Sequence, residues 1–425
     1  MIKKTGQIHI LSINCGSSSV KFSIFEISGS LDKKNPLLNA GRIFSGIIEE
    51  IGTKFGEFHF KTKGKKDFGK LNFKDHSEAI NFMIHKFKLG FNIANLNISI
   101  VVHRFVHGGD EFRKPVIASR ENIVKLSRLN ELAPLHNPSN LKGLEIASRY
   151  LPHAKQVCVF DTAFHHTVPL YARMYPIPLD YYNRYKVKRY GFHGISYSYI
   201  NNLLSLNKKD IKKLIICHLG NGASICAVKN GVSVDTSMGY TPLEGLMMGT
   251  RCGDIDPSIP FILKEKLNVS CEELYDILNK KSGLLGISQK TYDFKELSTY
   301  SDENSKLAFK MYIYRITKFI GGYCAALNGI DALVFTGGIG ENSSLLRKEV
   351  CKNLAYLGIK IDGLKNKEAS EYFNKFDCHG KIKIRKSIKS IGIGKIPVFA
   401  VHTDEDVQMA SEAVKLLFYK KPAAT

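Results

Sequence analysis

Residues 8–27, IHILSINCGSSSVKFSIFEI, decide the fold, because a second segment of the chain repeats their pattern. Residues 212–229 read KKLIICHLGNGASICAVK, and aligning Gly16 with Gly220 superposes the two turns. Each segment is an apolar, β-branched run that breaks at a cluster of Gly, Ser and Asn and then resumes, which predicts a β-hairpin. Turns of small residues leave backbone N–H groups accessible to phosphate. Two such turns facing each other across a cleft would clamp one nucleotide, which indicates phosphoryl transfer.

Length and composition are those of a folded globular protein. A chain of 425 residues exceeds the usual size of a single core, so we expect two domains. The hydrophobic content of 44% excludes wholesale disorder. The most apolar stretch, Leu214 to Val228, is interrupted by polar residues, so we expect no membrane span. The opening MIKKTGQIHILSIN lacks a small-residue cleavage site and is expected to be mature strand rather than signal peptide.

The spacing of the cysteines argues against disulfides or a zinc site, and the distribution of charge argues against a nucleic-acid partner. The 9 cysteines contain no C-x-x-C pair, so we expect reduced thiols in a cytoplasmic protein rather than disulfides or a zinc site. The excess of 61 basic over 39 acidic residues gives a net charge of +22. The lysines are spread along the chain without a nucleic-acid-binding module, so we expect no nucleic-acid partner. The positive field would instead attract anionic substrates.

Strand and helix patterns alternate along the chain, which predicts an open, largely parallel α/β sheet that is duplicated, with ligands at the strand carboxyl ends. Residues 31–75 are interpreted as irregular strands and turns forming an exposed extension of the sheet. Further strands are expected at 98–109, 156–164 and 332–336. Helices are expected at 76–90, 121–138, 140–151, 194–206, 271–280, 304–328 and 343–357.

A third glycine-rich turn, LVFTGGIGENS at 333–343, follows a strand and opens a helix. Unhindered backbone at a helix N-terminus suits a nucleotide phosphate. The chain contains no G-x-x-x-x-G-K-[ST] motif, and its D-F-G at 67–69 has no accompanying H-R-D, so we expect neither a P-loop kinase nor a protein kinase.

Nine stretches from one end of the chain to the other resemble the acetate kinase (acetokinase) family. They are NCGSSSVK (14–21), HRFVHGG (103–109), LAPLHNP (132–138), VFDTAFH (159–165), YGFHGIS (190–196), CHLGNGAS (217–224), TSMGYTPLEGLMMGTRCGDIDP (236–257), NKKSGLLGIS (279–288) and TGGIGENS (336–343). The resemblance implies reversible, Mg²⁺-dependent transfer of a phosphoryl group from ATP to acetate, with Mn²⁺ as a possible substitute metal.

The resemblance also implies the architecture and the assembly. The fold class would be α/β, a duplicated actin-like ATPase (ribonuclease H-like) fold, with two domains flanking a nucleotide cleft. The N-terminal domain would be 1–162, completed by a helix at about 405–425, and the C-terminal nucleotide-binding domain would be 163–404. Such a protein would be a cytoplasmic homodimer without membrane or nucleic-acid partners.

The catalytic residues that the resemblance implies are Asp161, His193 and Arg251. Arg104 ends a strand beside two glycines, and its guanidinium suits a small carboxylate. By resemblance Arg104 binds the substrate, while Arg251 and His193 stabilise the transferring phosphoryl group. Because acetate is already ionised at pH 7, we expect Asp161 to order Mg²⁺ or the substrate arginine rather than to act as a base.

The remaining implied residues form three sets. The acyl pocket would comprise Val106, Leu135, Phe192 and Pro242. The ATP site would comprise Lys21, His218, Leu219, Gly220, Asn221, Gly222, Asp293, Phe294, Lys295, Gly338, Ile339, Gly340, Glu341 and Asn342. The metal would be held by Asn14 and Glu405, whose oxygens suit Mg²⁺.

The chain departs from the family's usual motifs at two places. It has Thr403-Asp404-Glu405-Asp406 where the family has T-N-E-E, which adds charge near the metal. Lys295 stands where an arginine is usual, which removes a planar group able to stack on a purine.

Two alternatives remain. A propionate or butyrate kinase would share the motifs and differ in the volume of the acyl pocket. An actin-like or heat-shock-chaperone-like ATPase acting on a protein partner would share the phosphate loops, but it would give no reason for Arg104, His193 and Arg251 to accompany them.

Overall fold

The computed structural model describes residues 7–28, 40–87, 96–134, 136–208, 210–382 and 384–419. Its strands are β1 (Ile8–Cys15), β2 (Val20–Ile27), β3 (Ala40–Glu49), β4 (Glu57–Thr62), β5 (Lys65–Lys70), β6 (Ile98–Phe105), β7 (Val116–Ile117), β8 (Lys155–Phe160), β9 (Lys213–Leu219), β10 (Ala223–Lys229), β11 (Val232–Thr236), β12 (Ala332–Thr336), β13 (Gly380–Lys381), β14 (Ile388–Ser390) and β15 (Val398–Val401).

The α-helices are α1 (His76–His85), α2 (Arg120–Arg128), α3 (Asn137–Tyr150), α4 (Leu170–Arg173), α5 (Leu179–Tyr185), α6 (Gly194–Asn207), α7 (Ile259–Leu267), α8 (Cys271–Lys280), α9 (Gly283–Ser288), α10 (Phe294–Leu297), α11 (Glu303–Ala326), α12 (Gly337–Asn342), α13 (Ser344–Asn353), α14 (Gly363–Asn374) and α15 (Glu405–Phe418). Within the described ranges, no helix combines the length and apolar character needed to cross a bilayer.

The described strands form two mixed sheets. The first has the order β5-β4-β3-β2-β1-β6-β8-β7, with β13 beside β3, and the second has the order β11-β10-β9-β12-β15-β14. Only β1–β6–β8 and β9–β12–β15 pair in parallel. The expectation of largely parallel sheets is therefore wrong, because each predicted hairpin contributes antiparallel pairs and further antiparallel strands are added at the sheet edges.

The two sheets repeat one arrangement, in which an antiparallel hairpin lies beside two parallel strands. In the first sheet the repeated unit is β3-β2-β1-β6-β8, and in the second it is β11-β10-β9-β12-β15. This confirms the predicted α/β class and the duplicated actin-like fold. The turns differ by one residue, since Cys15 pairs with Val20 while Leu219 pairs with Ala223.

The chain divides into two compact units. The first comprises Met1–Ala163, Asp377–Lys383 and Asp404–Thr425, and the second comprises Phe164–Phe376 and Ile384–Thr403. The chain thus leaves the first unit after Ala163, returns briefly for the strand β13, leaves again after Lys383, and returns for the helix α15.

Of the stretch 31–75, expected to form irregular strands and turns, residues 31–39 lie outside the described residues, and an aromatic core orders residues 40–75. Strands β3 and β4 alternate buried and accessible positions, and Phe44 and Phe60 pack with Phe22 at ring-centroid distances of 5.3–5.6 Å. A Cβ on Gly46 would lie 2.4 Å from the Phe60 ring, so this packing requires glycine there. Only β5 fits the expected exposed extension.

The predicted helix at 121–138 ends early. The helix α2 stops at Arg128, and the chain continues as a 3-10 turn over Leu129–Leu132 before Pro134. The C-cap Leu129 still donates its amide to Leu126 and Ser127, so the change is a tightening of the last turn.

A buried carboxylate joins α15 to the first hairpin. Asp406 accepts hydrogen bonds from the hydroxyls of Ser12 (2.6 Å) and Ser23 (2.9 Å), which lie on β1 and β2. Burial acts to raise the pKa of Asp406, but Lys21, Arg42 and the two hydroxyl donors leave it lower than usual. Asp406 is therefore ionised and is a tie between the last helix and the first two strands.

We predict that Asp406→Ala lowers the free energy of unfolding by about 2–4 kcal/mol, because it leaves two buried hydroxyls without their acceptor. Since the pKa of Asp406 is lowered in the folded state, this contribution is present above the ordinary carboxyl pKa and is lost as the pH falls through the lowered value. Urea unfolding at neutral and acidic pH measures both effects. Glu145→Ala, at an exposed position of α3, is the control and should cost little. Equal losses in the two variants would contradict the assigned tie.

Candidate active site

The carboxyl edge of the first sheet carries a buried ion pair. Because β1, β6 and β8 are parallel, the residues at their carboxyl ends lie at one edge. Arg104, near the end of β6, donates from Nη2 to Asp161 Oδ2 at 2.6 Å and from Nε to Oδ1 at 3.1 Å. The Asp161 side chain is only 2% exposed. Sequence predicted both residues as functional, and the structure brings them into direct contact.

The ion pair leaves part of the Arg104 guanidinium available. Asp161 engages the edge formed by Nε and Nη2, and Nη1 lies 3.8 Å from the Glu405 carboxylate. A guanidinium has five N–H donors, so Nη1 can still donate to another carboxylate. Burial raises the pKa of Asp161, and Arg104 opposes that shift. The pKa of Arg104 is raised by Asp161 and Glu405 in spite of burial, so its charge is fixed.

The segment after β6 is held by side chains that sequence reasoning missed. Asn140 accepts from the amide of Val106 at 3.2 Å, and Asn137 accepts from the amide of His107 at 3.1 Å. Thr162 accepts from the amide of Gly108 at 3.1 Å. Both asparagines lie at the start of α3, in the family-like stretch LAPLHNP and just beyond it. Proximity to that stretch was the signal that could have found them.

Asn14 and Glu405 fit an Mg²⁺ site in the first unit. Asn14 lies near the carboxyl end of β1 and pairs in register with Lys21, and Glu405 is the first residue of α15. Among the described residues, the Asn14 side chain makes no hydrogen bond and Glu405 has only its 3.8 Å approach to Arg104. Two oxygen ligands without competing hydrogen bonds match a metal that keeps most of its waters.

Lys21 lies on β2 opposite Asn14 of β1. Its pKa is raised, first by Asp406 and then also by Glu405 and Asp404, with burial opposing. Lys21 therefore remains a cation at the acidic start of α15. It is in the first unit, whereas the other predicted ATP-binding residues are in the second.

A different group of possible metal ligands lies at Asp377, Cys378 and His379, each offering one atom within 4.8 Å of the others. These side chains already have partners: Asp377 pairs with Lys61 at 3.0 Å and with His379 Nδ1 at 2.9 Å. His379 Nε2 lies 3.0 Å from the Ser45 hydroxyl. The neighbouring cation and satisfied ring nitrogens disfavour a metal there.

In the second unit, the glycine turn between β9 and β10 lies beside His193 and Arg251. A Cβ placed on Gly222 would be 3.5 Å from His193 Nε2 and 3.6 Å from Arg251 Nη1. The amides of Asn221 and Gly222 donate to no other described residue. Burial lowers the pKa of Arg251, which forms no ion pair with any described side chain. An imidazole, a guanidinium and open amides thus converge on one turn, as an anion site requires.

The two histidines of this region stack. His193 and His218 have ring centroids 4.4 Å apart, and the Nδ1 atom of His218 lies 2.8 Å from the Ser196 hydroxyl. Ser196 is also 2.8 Å from the Thr403 hydroxyl, just beyond β15. The side chains at the carboxyl ends of β9 and β15 are therefore linked through α6.

A cavity of about 480 Å³ opens beside the same turn. Eight predicted ATP-binding residues line it: Gly220, Asn221, Asp293, Phe294, Lys295, Gly338, Ile339 and Asn342. Sequence reasoning missed the other lining residues: Tyr292, Ser298, Ser343, Ser344, Leu345 and Asn374. Its polar and apolar lining and its size are those of a small-molecule site.

Six of the predicted ATP-binding residues do not line this cavity: Lys21, His218, Leu219, Gly222, Gly340 and Glu341. Leu219 is fully buried, Gly340 packs inside α12, and the carboxylate of Glu341 is buried. Glu341 accepts from the amides of Gly337 and Thr403, each at 3.0 Å. Glu341 therefore supports the backbone of the third glycine-rich segment, at 337–342.

The predicted acyl-pocket residues are distributed between the units. Val106 belongs to the first unit and is buried, whereas Phe192 and Pro242 belong to the second. The Pro242 carbonyl accepts from Arg251 Nη1 at 3.4 Å. Leu135 lies outside the described residues.

Fold and site together define a nucleotide-binding protein with a duplicated α/β architecture. The sequence model of the acetokinase family matches residues 9–411. A curated acetate kinase of Thermotoga maritima is 41% identical over 420 residues, which is 96% of this chain and 99% of that protein. The chain therefore belongs to the acetokinase family.

Solved structures agree with this assignment. The crystal structure of Porphyromonas gingivalis acetate kinase matches with a TM-score of 0.83 and 36% identity, covering 96% of this chain and 100% of that one. A propionate kinase from Francisella tularensis matches with the same TM-score of 0.83 and 36% identity, covering 95% of this chain and 98% of that one.

We predict that Gly338→Val weakens ATP binding by about tenfold or more, because the new side chain would project into the cavity that the predicted ATP-binding residues line. A Cβ at Gly338 meets nothing within 4 Å, so the fold should tolerate the change. Isothermal titration with ATP measures the effect. Gly363→Val is a matched control, since Gly363, like Gly338, lies in the first turn of a helix with nothing within 4 Å of an added Cβ, and it does not line the cavity. Unchanged affinity in Gly338→Val would argue against this cavity as the nucleotide site.

Proposed function

We propose that this chain is an acetate kinase, a phosphotransferase with a carboxyl group as acceptor. It catalyses the reversible, direct in-line transfer of the γ-phosphoryl group of ATP to acetate, giving acetyl phosphate and ADP. The observation that carries the proposal is the convergence of His193 Nε2 and Arg251 Nη1 on the Gly222 turn, beside a nucleotide-sized cavity, in a member of the acetokinase family.

Arg104 binds the acetate carboxylate with the donors that Asp161 leaves free. Asp161 orients the guanidinium, and because acetate is ionised at neutral pH no general base is needed. A carboxylate oxygen of acetate then attacks the γ-phosphorus in line while the bond to the β,γ-bridging oxygen breaks. Charge on the equatorial oxygens grows during this step, and His193 and Arg251 stabilise it.

ATP binds in the cavity with its phosphates at the open amides of the Gly222 turn and at the start of α12. Asn14 and Glu405 hold Mg²⁺, for which Mn²⁺ can substitute. When bound, the metal neutralises phosphate charge and orients the phosphate oxygens. Lys21 contributes a further cation to the polyphosphate.

We also propose a homodimer in the cytoplasm. The helix α7 has no buried residue in the chain by itself, and its Phe261 is 72% exposed. Tyr171 and Leu179, elsewhere in the same unit, are also largely exposed. Exposed apolar side chains of this size support association with a second copy of the chain.

The test is the hydroxylamine-trapping assay for acyl phosphate with ATP, Mg²⁺ and acetate, propionate or butyrate. We expect acetate to give the highest kcat/KM. Arg251→Ala should lower kcat by about 10³-fold or more with a modest change in KM, because its contacts strengthen in the transition state. Since Arg251 has no described ion-pair partner, its removal leaves no buried charge unpaired. Arg149→Ala, at an exposed position, should match the parent. Near-normal kcat in Arg251→Ala would refute its role, and absence of acetyl phosphate in the parent would refute the function.

Val106→Ala tests the choice of acyl group. The smaller side chain should shift the propionate-to-acetate ratio of kcat/KM toward propionate by roughly tenfold, one methylene's worth of contact. The KM for ATP should not change. The Val106 amide would keep its bond to Asn140, since the backbone is unchanged. Val124→Ala, on the exposed face of α2, is the control. A ratio equal to that of the parent would exclude Val106 from the acyl pocket.

A further inference from the structure

Behind His193 lies a short chain of hydroxyl groups. His193 Nδ1 is 2.8 Å from Ser224 Oγ, and Ser224 Oγ is 2.5 Å from the Tyr197 hydroxyl. Ser224 and Tyr197 are both completely buried, at 0% exposure. The other ring nitrogen, Nε2, faces the Gly222 turn. We call the hydroxyls of Ser224 and Tyr197 the relay. Nδ1 of His193 therefore contacts the relay, and Nε2 faces the proposed phosphate site.

The direction of the hydrogen bonds follows from Tyr197. Burial raises the pKa of its hydroxyl well above the usual value, so the hydroxyl keeps its proton. Among the described residues, Ser224 Oγ is the one hydrogen-bond partner of that hydroxyl. A buried donor is almost always satisfied, so Tyr197 donates and Ser224 accepts. The single proton of Ser224 is then directed to His193 Nδ1.

The reverse direction is disfavoured. If His193 Nδ1 carried a proton and donated to Ser224, one hydroxyl proton would stay unpaired: either Tyr197 donates to Ser224 and the serine proton has no acceptor among the described residues, or the serine proton points at the Tyr197 oxygen. The Tyr197 proton would then have no acceptor within the described part of the chain. Only an Nδ1 that accepts leaves every hydroxyl of the relay satisfied.

We propose that Tyr197 is a positioning residue that, through Ser224, holds His193 as the neutral tautomer with its proton on Nε2. This inference rests on the proposed function, because it explains how His193 presents an N–H donor to the transferring phosphoryl group. Tyr197 touches neither substrate. The relay fixes in advance a proton that would otherwise be shared between the two ring nitrogens.

Tyr197→Phe removes the hydroxyl and keeps the ring, which packs against His165 with a centroid distance of 5.5 Å. Tyr312→Phe is the matched control. Tyr312 is also buried in the second unit, at 1% exposure, but its hydroxyl has no hydrogen-bond partner among the described residues. Both variants lose the same atom, and only one of them loses the relay.

The first measurement is the tautomer itself. Long-range proton–nitrogen correlation spectra of ¹⁵N-labelled protein separate the two tautomers, and the His193 signals are assigned by their loss in His193→Ala. We expect the Nε2–H pattern in the parent and in Tyr312→Phe, and a mixture in Tyr197→Phe. An Nδ1–H pattern in the parent, or an unchanged pattern in Tyr197→Phe, would overturn the proposal. This readout does not depend on activity, so it stands even if the proposed function fails.

The second measurement is a double-mutant cycle in the trapping assay. Tyr197→Phe should lower kcat by about twofold with unchanged KM values, because only the competent tautomer contributes and an equal mixture halves it. In a Ser224→Ala background the same substitution should cause no further loss, since Tyr197 acts only through Ser224. Additive losses would mean that Tyr197 acts by packing, and would overturn the relay.

Discussion

The buried carboxylate of Glu341 is the interaction on which the second site depends. It accepts from the first amide of α12 and from the amide of Thr403, each at 3.0 Å, and so joins the carboxyl ends of β12 and β15. From Thr403 the hydrogen bonds continue through Ser196 to His218, which stacks on His193. One anion, held by backbone amides in a buried position, thereby sets the geometry of the glycine turn and of the histidine pair.

In the first unit, ion pairs rather than a single buried carboxylate hold the residues of the site in position. Arg104 and Asp161 neutralise each other at the sheet edge, and Arg42 pairs with Asp404 at 2.6 Å. The additional acidic residue at 404, which sequence analysis treated as extra charge near the metal, therefore has its own cation and also caps α15 through the amide of Val407. Removing one member of such a pair would leave a buried charge alone, whereas Arg251 in the second unit has no such partner in the part of the chain that the structure describes.

Patterns in the sequence predicted the structural elements that depend only on neighbouring residues. Both hairpins and the strand at 332–336 were found because apolar periodicity and small turn residues act within a few positions, whereas the glycine-rich stretch expected to be a turn after that strand forms the short helix α12 itself. The nucleotide-cavity residues around Asp293 and Gly338 came from the family resemblance. Sequence could not find Asn140, Ser224 or Tyr197, whose partners are set by tertiary packing. The lysine-rich stretch of β4 and β5 hid regular strands, because charged residues occupy most of its exposed positions while Phe58 and Phe60 of β4 face inward.

The tie between Asp406 and Ser12 joins residues 394 positions apart. Closing so long a loop costs chain entropy before the contact contributes any stabilising free energy, and contacts of this kind slow folding. The second unit consists mainly of one continuous segment, so its strands can pair while the first unit still lacks its final helix. The first hairpin, although earliest in the chain, acquires its buried anion only when the last helix docks. The unit whose strands are synthesised first is therefore the unit that is completed last.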